Sequence, residues 1–145
     1  MSVRVDFYVL AQANAQAGWI FACRLAEKAH KQKQKLYVYC TNHADTERFD
    51  DLLWTFDDAA FVPHLLESNT STDSFAPIRI GENAPENPYP IILNLSNTVP
   101  SFYTQSERVI EIVFGDEAQR AATRERFRTY RNAGCDLHTH QMDKY

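Results

Sequence analysis

The sequence predicts an α/β fold, a three-layer sandwich in which helices cover both faces of a mostly parallel central sheet. Three observations support this prediction. Short apolar runs of strand length alternate with amphipathic stretches of helix length along the 145 residues. Several of those runs are apolar on both faces, which is typical of strands inside a parallel sheet. Strands and helices follow one another through short connections, as they do in right-handed parallel units.

The first predicted unit is a strand followed by a helix. Apolar side chains alternate between two faces over residues 3–10, which indicates a strand. Asn14 is a good N-cap for a helix that extends to about Gln32. The apolar stripe of this helix repeats at the i, i+3, i+4 spacing and consists of Trp19, Ala22, Cys23, Ala26 and Ala29.

The middle of the chain continues the alternation. Residues 36–40 are apolar throughout and predict a buried strand. The large side chains of the helix that follows are Phe49, Leu52, Leu53 and Trp54. Polar residues 67–75 predict a loop, and residues 77–80 predict a brief strand before a turn rich in Pro, Gly and Asn.

The last part of the chain completes the sheet. Residues 91–95 and 109–114 are two further apolar strands. A long helix is predicted from Asp116 to Ala133, with Gly134 as the residue that ends it. We therefore expect one domain over residues 1–145.

Composition excludes several classes of protein. A hydrophobic content of 44% with 23% charged residues excludes disordered and fibrous chains. The apolar runs fall short of the ~18 residues that a membrane helix needs, so no membrane association is expected. Three cysteines without C-x-x-C spacing, and an N-terminus unlike a secretory signal, predict a cytoplasmic protein. The net charge of −4 disfavours direct DNA binding, so any contact with DNA is expected to be indirect.

The predicted topology is also that of nucleotide-binding proteins, so the first turn between strand and helix is informative. That turn reads AQANAQAG, which contains neither G-x-G-x-x-G nor G-x-x-x-x-G-K-[ST]. Phosphate cradles need glycines for close backbone approach, and none of the four glycines is placed for that purpose. We expect no cofactor and no intrinsic catalytic activity.

One alternative is a small metal-dependent hydrolase. Asp136, His138 and His140 alternate in the segment CDLHTH and would share one face of a strand. Their oxygen and nitrogen atoms are suitable zinc ligands. The competing interpretation is a polar strand at the edge of the sheet without bound metal.

A run of aromatic residues lies at the end of the second helix. Trp54, Phe56 and Phe61 stand close to the turn at Pro63, where burying all three rings is difficult. They are either core residues or an exposed patch that anchors a partner protein.

The last helix carries arginines around a ring. Arg120, Arg124, Phe127 and Arg131 share one face at helical spacing, whereas Ala118, Ala122 and Ala133 are expected to pack on the sheet. The arginine face is either a solvated stripe or a site for a peptide with a terminal carboxylate.

The chain as a whole resembles the chi subunit family of the bacterial DNA polymerase III holoenzyme, a component of its clamp-loader assembly. The resemblance rests on the opening strand V-D-F-Y-V-L, on Leu53-Trp54 followed by Phe61-Val62-Pro63-His64, and on the ending from Arg124 to Gly134. It implies a nucleotide-binding-like fold without nucleotide activity, in a non-catalytic subunit of a DNA-directed DNA polymerase.

The resemblance also implies two partners. The psi subunit would contact Trp54, Phe56, Phe61, Val62 and Pro63, and in some members an accessory helicase uses the same patch. The acidic C-terminal tail of single-stranded DNA-binding protein (SSB) would contact Val113, Arg120, Arg124, Phe127 and Arg131. On this basis the chain is expected to be a replication adaptor that bridges these two proteins.

Overall fold

The computed structural model describes residues 2–11, 14–57, 59, 62–66 and 78–142. Its strands and helices, in chain order, are β1 Arg4–Leu10, α1 Ala15–Lys31, β2 Leu36–Tyr39, α2 His43–Thr55, β3 His64–Leu66, β4 Ile78–Gly81, β5 Ile91–Asn94, a 3-10 turn at Tyr103–Gln105, β6 Arg108–Val113, α3 Glu117–Asn132 and β7 Asp136–Met142. No helix within these ranges combines the length and apolar character needed to cross a lipid bilayer.

The strands of the described residues form one sheet in the order β3-β4-β2-β5-β6-β1-β7. Every neighbouring pair in this sheet is parallel. β1 pairs along its length with both β6 and β7, so that Tyr8 lies between Ile112 and His140. The order puts β3 and β7 at opposite edges of the sheet.

Helices cover both faces of the sheet, which confirms the predicted three-layer sandwich. The larger core lies between the sheet and α1 with α2, and its buried residues include Phe21, Phe49 and Ile110. A smaller core on the other face joins Val5, Phe7, Val109 and Tyr130, and α3 packs there. Successive strand residues point to opposite faces, so β1, β6 and β7 contribute to both cores, whereas β2, β4 and β5 contribute to the larger one.

The helix ends agree with the predicted caps. The side chain of Asn14 accepts a hydrogen bond from the Ala17 backbone N–H, 2.7 Å away, as an N-cap should. Asp116 and Gln119 form a reciprocal capping box at the start of α3. After α3, Gly134 has a φ of +84°, the left-handed conformation that favours glycine at a helix end.

Two features differ from the prediction or lie outside it. β3 was not predicted, because three residues are too few to show a periodic pattern. The predicted loop at 67–75 lies outside the described residues.

The face that α3 turns to the sheet also differs from the prediction. The expectation that Ala118, Ala122 and Ala133 pack there is wrong, since Ala118 and Ala133 are exposed and Ala122 is half-buried. The buried residues of α3 are Thr123, Arg126 and Tyr130.

Candidate functional site

The arginine stripe consists of Arg120, Arg124, Phe127 and Arg131 on α3. Arg120 is half-buried and its Nε donates to the carbonyl oxygen of Gly115 at 3.2 Å, which holds this side chain near the start of the helix. Arg124 is exposed, and its Nη2 lies 2.6 Å from Oε1 of Glu117. Arg131 is also exposed. The stripe thus presents guanidinium groups to solvent along one side of α3.

The ring of Phe127 packs on the sheet and does not point freely into solvent. It is half-buried, and its centroid lies 5.2 Å from the ring of Phe7 on β1. Val113, at the end of β6, and Leu137, on β7, are also half-buried against the smaller core. Val113, Phe127 and Leu137 together form what we call the apolar shelf. The stripe and the shelf share Phe127, so charged and apolar contacts are available side by side.

A buried polar network fixes α3 on the sheet. Glu111 of β6 is fully buried and accepts hydrogen bonds from Arg126 Nε at 3.0 Å, Asn94 Nδ2 at 2.8 Å and Tyr130 Oη at 2.7 Å. Burial raises the pKa of the Glu111 carboxyl, while the charge of Arg126 and these hydrogen bonds oppose that rise. Two of the three donors belong to α3, so the network determines where the stripe lies.

A second candidate surface surrounds Trp54 at the end of α2. Among the described residues, Trp54 is the one large hydrophobic side chain that is exposed, at 48%. Its ring packs on that of His64 on β3, with the centroids 4.2 Å apart. His64 is itself anchored, because its Nδ1 donates to the Val62 carbonyl oxygen at 2.6 Å. Its buried Nε2 lies 3.0 Å from Asp50 Oδ1 but makes no hydrogen bond within the described residues. We call Trp54, Pro63 and His64 the tryptophan patch.

The other residues predicted for this surface have different positions. Val62 is 1% exposed, so it supports the patch from below. Phe56 is half-buried and lies under the guanidinium of Arg24 on α1, 5.0 Å from ring centroid to Cζ. Phe61 lies outside the described residues. The structure therefore packs Trp54 on His64, which follows Pro63 in the chain, and it packs Phe56 under Arg24.

The histidines of β7 do not converge on a common point. His138 Nε2 lies 3.0 Å from Asp136 Oδ2, whereas His140 Nε2 lies 2.8 Å from Asp6 Oδ1. His140 also stacks on Tyr8, with the ring centroids 4.7 Å apart. No group of three or more His, Cys, Asp or Glu side chains in the described part of the chain is arranged to hold a metal. The hydrolase alternative gains no support from this arrangement.

Comparison with known proteins identifies the family. The sequence profile of the family described as "DNA polymerase III chi subunit, HolC" matches residues 1–138. The chain belongs to the DNA polymerase III chi subunit family. It is similar to "DNA polymerase III subunit chi" of Pseudomonas aeruginosa, at 38% identity over 142 residues that cover 97% of this chain and 98% of the relative.

Other chi subunits show the same correspondence over most of the chain. The protein of Haemophilus influenzae is 28% identical over 144 residues, covering 98% of this chain and 99% of the relative. That of Escherichia coli is 25% identical over 119 residues, covering 81% and 80%. As a chi subunit, this protein has a role in DNA replication as an accessory subunit within a multi-subunit polymerase.

Two features of this chi subunit were not predicted from its sequence. One is the network around Glu111, and the other is the cluster in which Asp6 binds Arg4, Arg108 and His140. Both acids stand alone within apolar strands, and a buried carboxylate needs hydrogen-bonding partners. A single acidic residue in an apolar strand therefore indicates that buried hydrogen-bond donors surround it, but it does not identify those donors.

Proposed function

We propose that this chi subunit is a non-catalytic adaptor in the cytoplasm that links the psi subunit of the clamp-loader assembly to the acidic C-terminal tail of SSB. The observation that carries the proposal is the separation of its two candidate surfaces. The tryptophan patch adjoins β3, and the apolar shelf includes Leu137 of β7. The shelf extends from Val113 on β6 to Leu137 on β7, so it lies four to six spacings from β3, roughly 19–29 Å at about 4.8 Å per spacing. Two partners could therefore bind at once.

The arginine stripe and the apolar shelf suit a peptide that ends in a phenylalanine carboxylate. Arg124 is exposed at the middle of the stripe and supplies charge-assisted hydrogen bonds for the terminal carboxylate. Phe127 and Val113 offer half-buried apolar surface for the terminal ring. Arg120 and Arg131 attract acidic residues further along the tail, and this attraction weakens as salt is added.

The tryptophan patch suits an apolar anchor from the psi subunit. Exposed tryptophans are frequent hot spots of protein interfaces, since a large ring buries much apolar area with few rotatable bonds. The tilted packing of Trp54 on His64 fixes the ring before a partner arrives, which lowers the entropic cost of binding. An accessory helicase could use the same patch in place of psi.

Peptide binding to arginine variants tests the proposal. Arg124→Ala should weaken binding of a labelled SSB-tail peptide by about 30-fold, roughly 2 kcal/mol, because a partly desolvated carboxylate loses its partner. Arg131→Ala should cost less than about fivefold, since its contribution is long-range and screened by solvent. The measurement is fluorescence anisotropy at fixed ionic strength.

Lys31→Ala is the control. Its side chain is 72% exposed and pairs with Glu27 on α1, which packs on the opposite face of the sheet from α3. This control should bind the peptide as the unmodified protein does. Equal binding by Arg124→Ala, or by a peptide that lacks its last phenylalanine, would show that the stripe is merely a solvated helix face.

A further inference from the structure

A cavity of about 420 Å³ lies at the carboxyl ends of three neighbouring strands, β2, β5 and β6. Its walls include Thr41 and Asn42 after β2, residues 94–97 around the end of β5, and Phe114 after β6. Open α/β sheets bind ligands at this edge, and the volume is within the ~300–1,000 Å³ of small-molecule sites. Neither the arginine stripe nor the tryptophan patch contributes a residue to it.

Arg126 supplies a buried cationic donor to the cavity. It is 8% exposed and lines the cavity wall. Its Nε donates to Glu111 Oε1 at 3.0 Å, and one of its two Nη atoms donates to Thr123 Oγ1 at 3.1 Å. The other, Nη1, forms no hydrogen bond with any described residue. A guanidinium nitrogen that lines the cavity with its donors free favours a ligand that brings an acceptor.

The first turns of all three helices reach the same cavity. Ala15 begins α1, Asn42 caps α2 and Gln119 lies in the first turn of α3, and each lines the cavity wall. Helix N-termini carry partial positive charge and favour oxyanions. Side-chain caps already bond one first-turn N–H of each helix, those of Ala17, Asp45 and Gln119, so the other N–H groups of these turns are the ones available to a ligand.

The charged side chains at the rim of the cavity do not remove its preference for oxyanions. Arg48 lies at the cavity, 3.6 Å from Asp45, which is the one acidic side chain among the described lining residues. Glu111 lies behind Arg126 and balances its charge. Since the formal charges nearly cancel, the helix ends and the Nη1 donor decide which ligand is favoured.

We propose that this cavity binds a small organic phosphate. The phosphoryl oxygens would accept hydrogen bonds from Arg126 Nη1 and from first-turn N–H groups. The organic part would pack on the apolar wall of Trp19, Ile112 and Phe114. Because the donors are a side chain and helix termini, this site needs no glycine-rich loop, and it is independent of the adaptor role.

Tryptophan fluorescence provides a direct test. The chain has two tryptophans, so in a Trp54→Phe variant Trp19 is the sole indole and reports on the cavity that it lines. The variant is titrated with ribose 5-phosphate, inorganic phosphate and ribose to about 10 mM, since small sites of this kind bind at millimolar levels. Ribose 5-phosphate should give a saturable change, at least fivefold tighter than phosphate, and ribose should give none.

Two alanines of α3 give a matched pair for the same titration. In the Trp54→Phe background, Ala122→Leu fills the cavity and should weaken ribose 5-phosphate binding at least tenfold, whereas Ala118→Leu, which is exposed and outside the cavity, should not change it. If Ala122→Leu fails to fold, Arg48→Gln at the exposed rim should weaken binding at least twofold. The proposal is overturned if ribose 5-phosphate gives no saturable change, if phosphate or ribose binds equally well, or if the cavity variants bind as their background does.

Discussion

At the scale of single residues, Arg124 has a carboxylate partner within its own helix. Its Nη2 lies 2.6 Å from Glu117 Oε1, which is where an incoming terminal carboxylate would bind. On the proposed function, Glu117 would therefore compete with the SSB tail for Arg124. An exposed pair of this kind is worth about 0.2–1 kcal/mol, so Glu117→Gln should raise the affinity for the tail peptide by about 1.5- to fivefold.

The control for this prediction is Glu125→Gln. Glu125 pairs with Arg128 outside the stripe, and its removal should leave peptide affinity unchanged apart from a small general effect of net charge. Isothermal titration calorimetry measures both variants. An affinity that falls in Glu117→Gln, or rises equally in both variants, would contradict the competition.

Trp54 is the residue on which the proposed psi surface depends. Because about half of Trp54 is buried, with its ring packed on His64, Trp54→Ala should lower the free energy of unfolding by about 1–3 kcal/mol and leave the protein folded. Loss of an interface anchor costs about 2–4 kcal/mol, so affinity for psi should fall well over tenfold. Co-purification and thermal melting are measured together, with Thr55→Ala as the control at the same helix end. A variant that unfolds, or that still binds psi normally, contradicts the patch.

Helical spacing was sufficient to predict which residues of α3 share a face, but not their surroundings. The stripe follows from the 3.6-residue period alone. The sequence did not show that Phe127 packs on Phe7, because that contact depends on which strand lies beneath the helix. It also did not show that Glu117 forms an ion pair with Arg124, because that pair depends on side-chain conformation.

At the scale of elements, a cluster around Asp6 joins the three strands at one side of the sheet. Asp6 of β1 is fully buried and accepts hydrogen bonds from Arg4 Nε at 3.0 Å, Arg108 Nε of β6 at 2.6 Å and His140 Nε2 of β7 at 2.8 Å. Burial acts to raise the pKa of Asp6, but the hydrogen bonds from Arg4, His140 and Arg108 outweigh it and hold the pKa well below its usual range.

The lowered pKa of Asp6 sets the direction of a pH effect. A carboxyl with a lower pKa in the folded state adds stability above its unfolded pKa of ~3.9, and this stability is lost as the pH falls toward the folded value. Asp6→Asn should therefore lower the free energy of unfolding at pH 7 by about 1–3 kcal/mol. The difference from the unmodified protein should narrow below about pH 4.

Urea unfolding from pH 7 to pH 3 measures this difference. Asp51→Asn, at an exposed position of α2, should show no comparable narrowing. The free energies of unfolding of Asp6→Asn and the unmodified protein are compared at each pH. If their difference stays constant or widens as the pH falls, the assigned role of the cluster is contradicted.

The strands and helices were predictable where the pattern was long, and the errors have physical causes. Apolar periodicity and caps such as Asn14 and Gly134 located α1, α3 and the longer strands. The three alanines of α3 suggested close packing on the sheet. The sheet offers Glu111 beneath the helix instead, and a buried carboxylate requires a cation, so Arg126 takes the buried position.

At the scale of the whole molecule, the order of strands determines how far apart the two proposed binding surfaces lie. Sequence patterns predicted parallel strands, but the order β3-β4-β2-β5-β6-β1-β7 depends on long-range pairing that local patterns do not encode. This order puts the tryptophan patch at the β3 edge and the ring of Phe127 over β1, next to the other edge. Two surfaces that far apart should bind their partners independently.

Simultaneous binding of both partners tests the adaptor role most directly. The affinity of the labelled SSB-tail peptide is measured by anisotropy for the chi subunit alone and for the chi subunit saturated with psi. The two affinities should agree within about twofold, and psi, chi and peptide should elute as one complex. A loss of tenfold or more in peptide affinity when psi is bound would mean that the partners compete, and it would contradict a bridge built from separate surfaces.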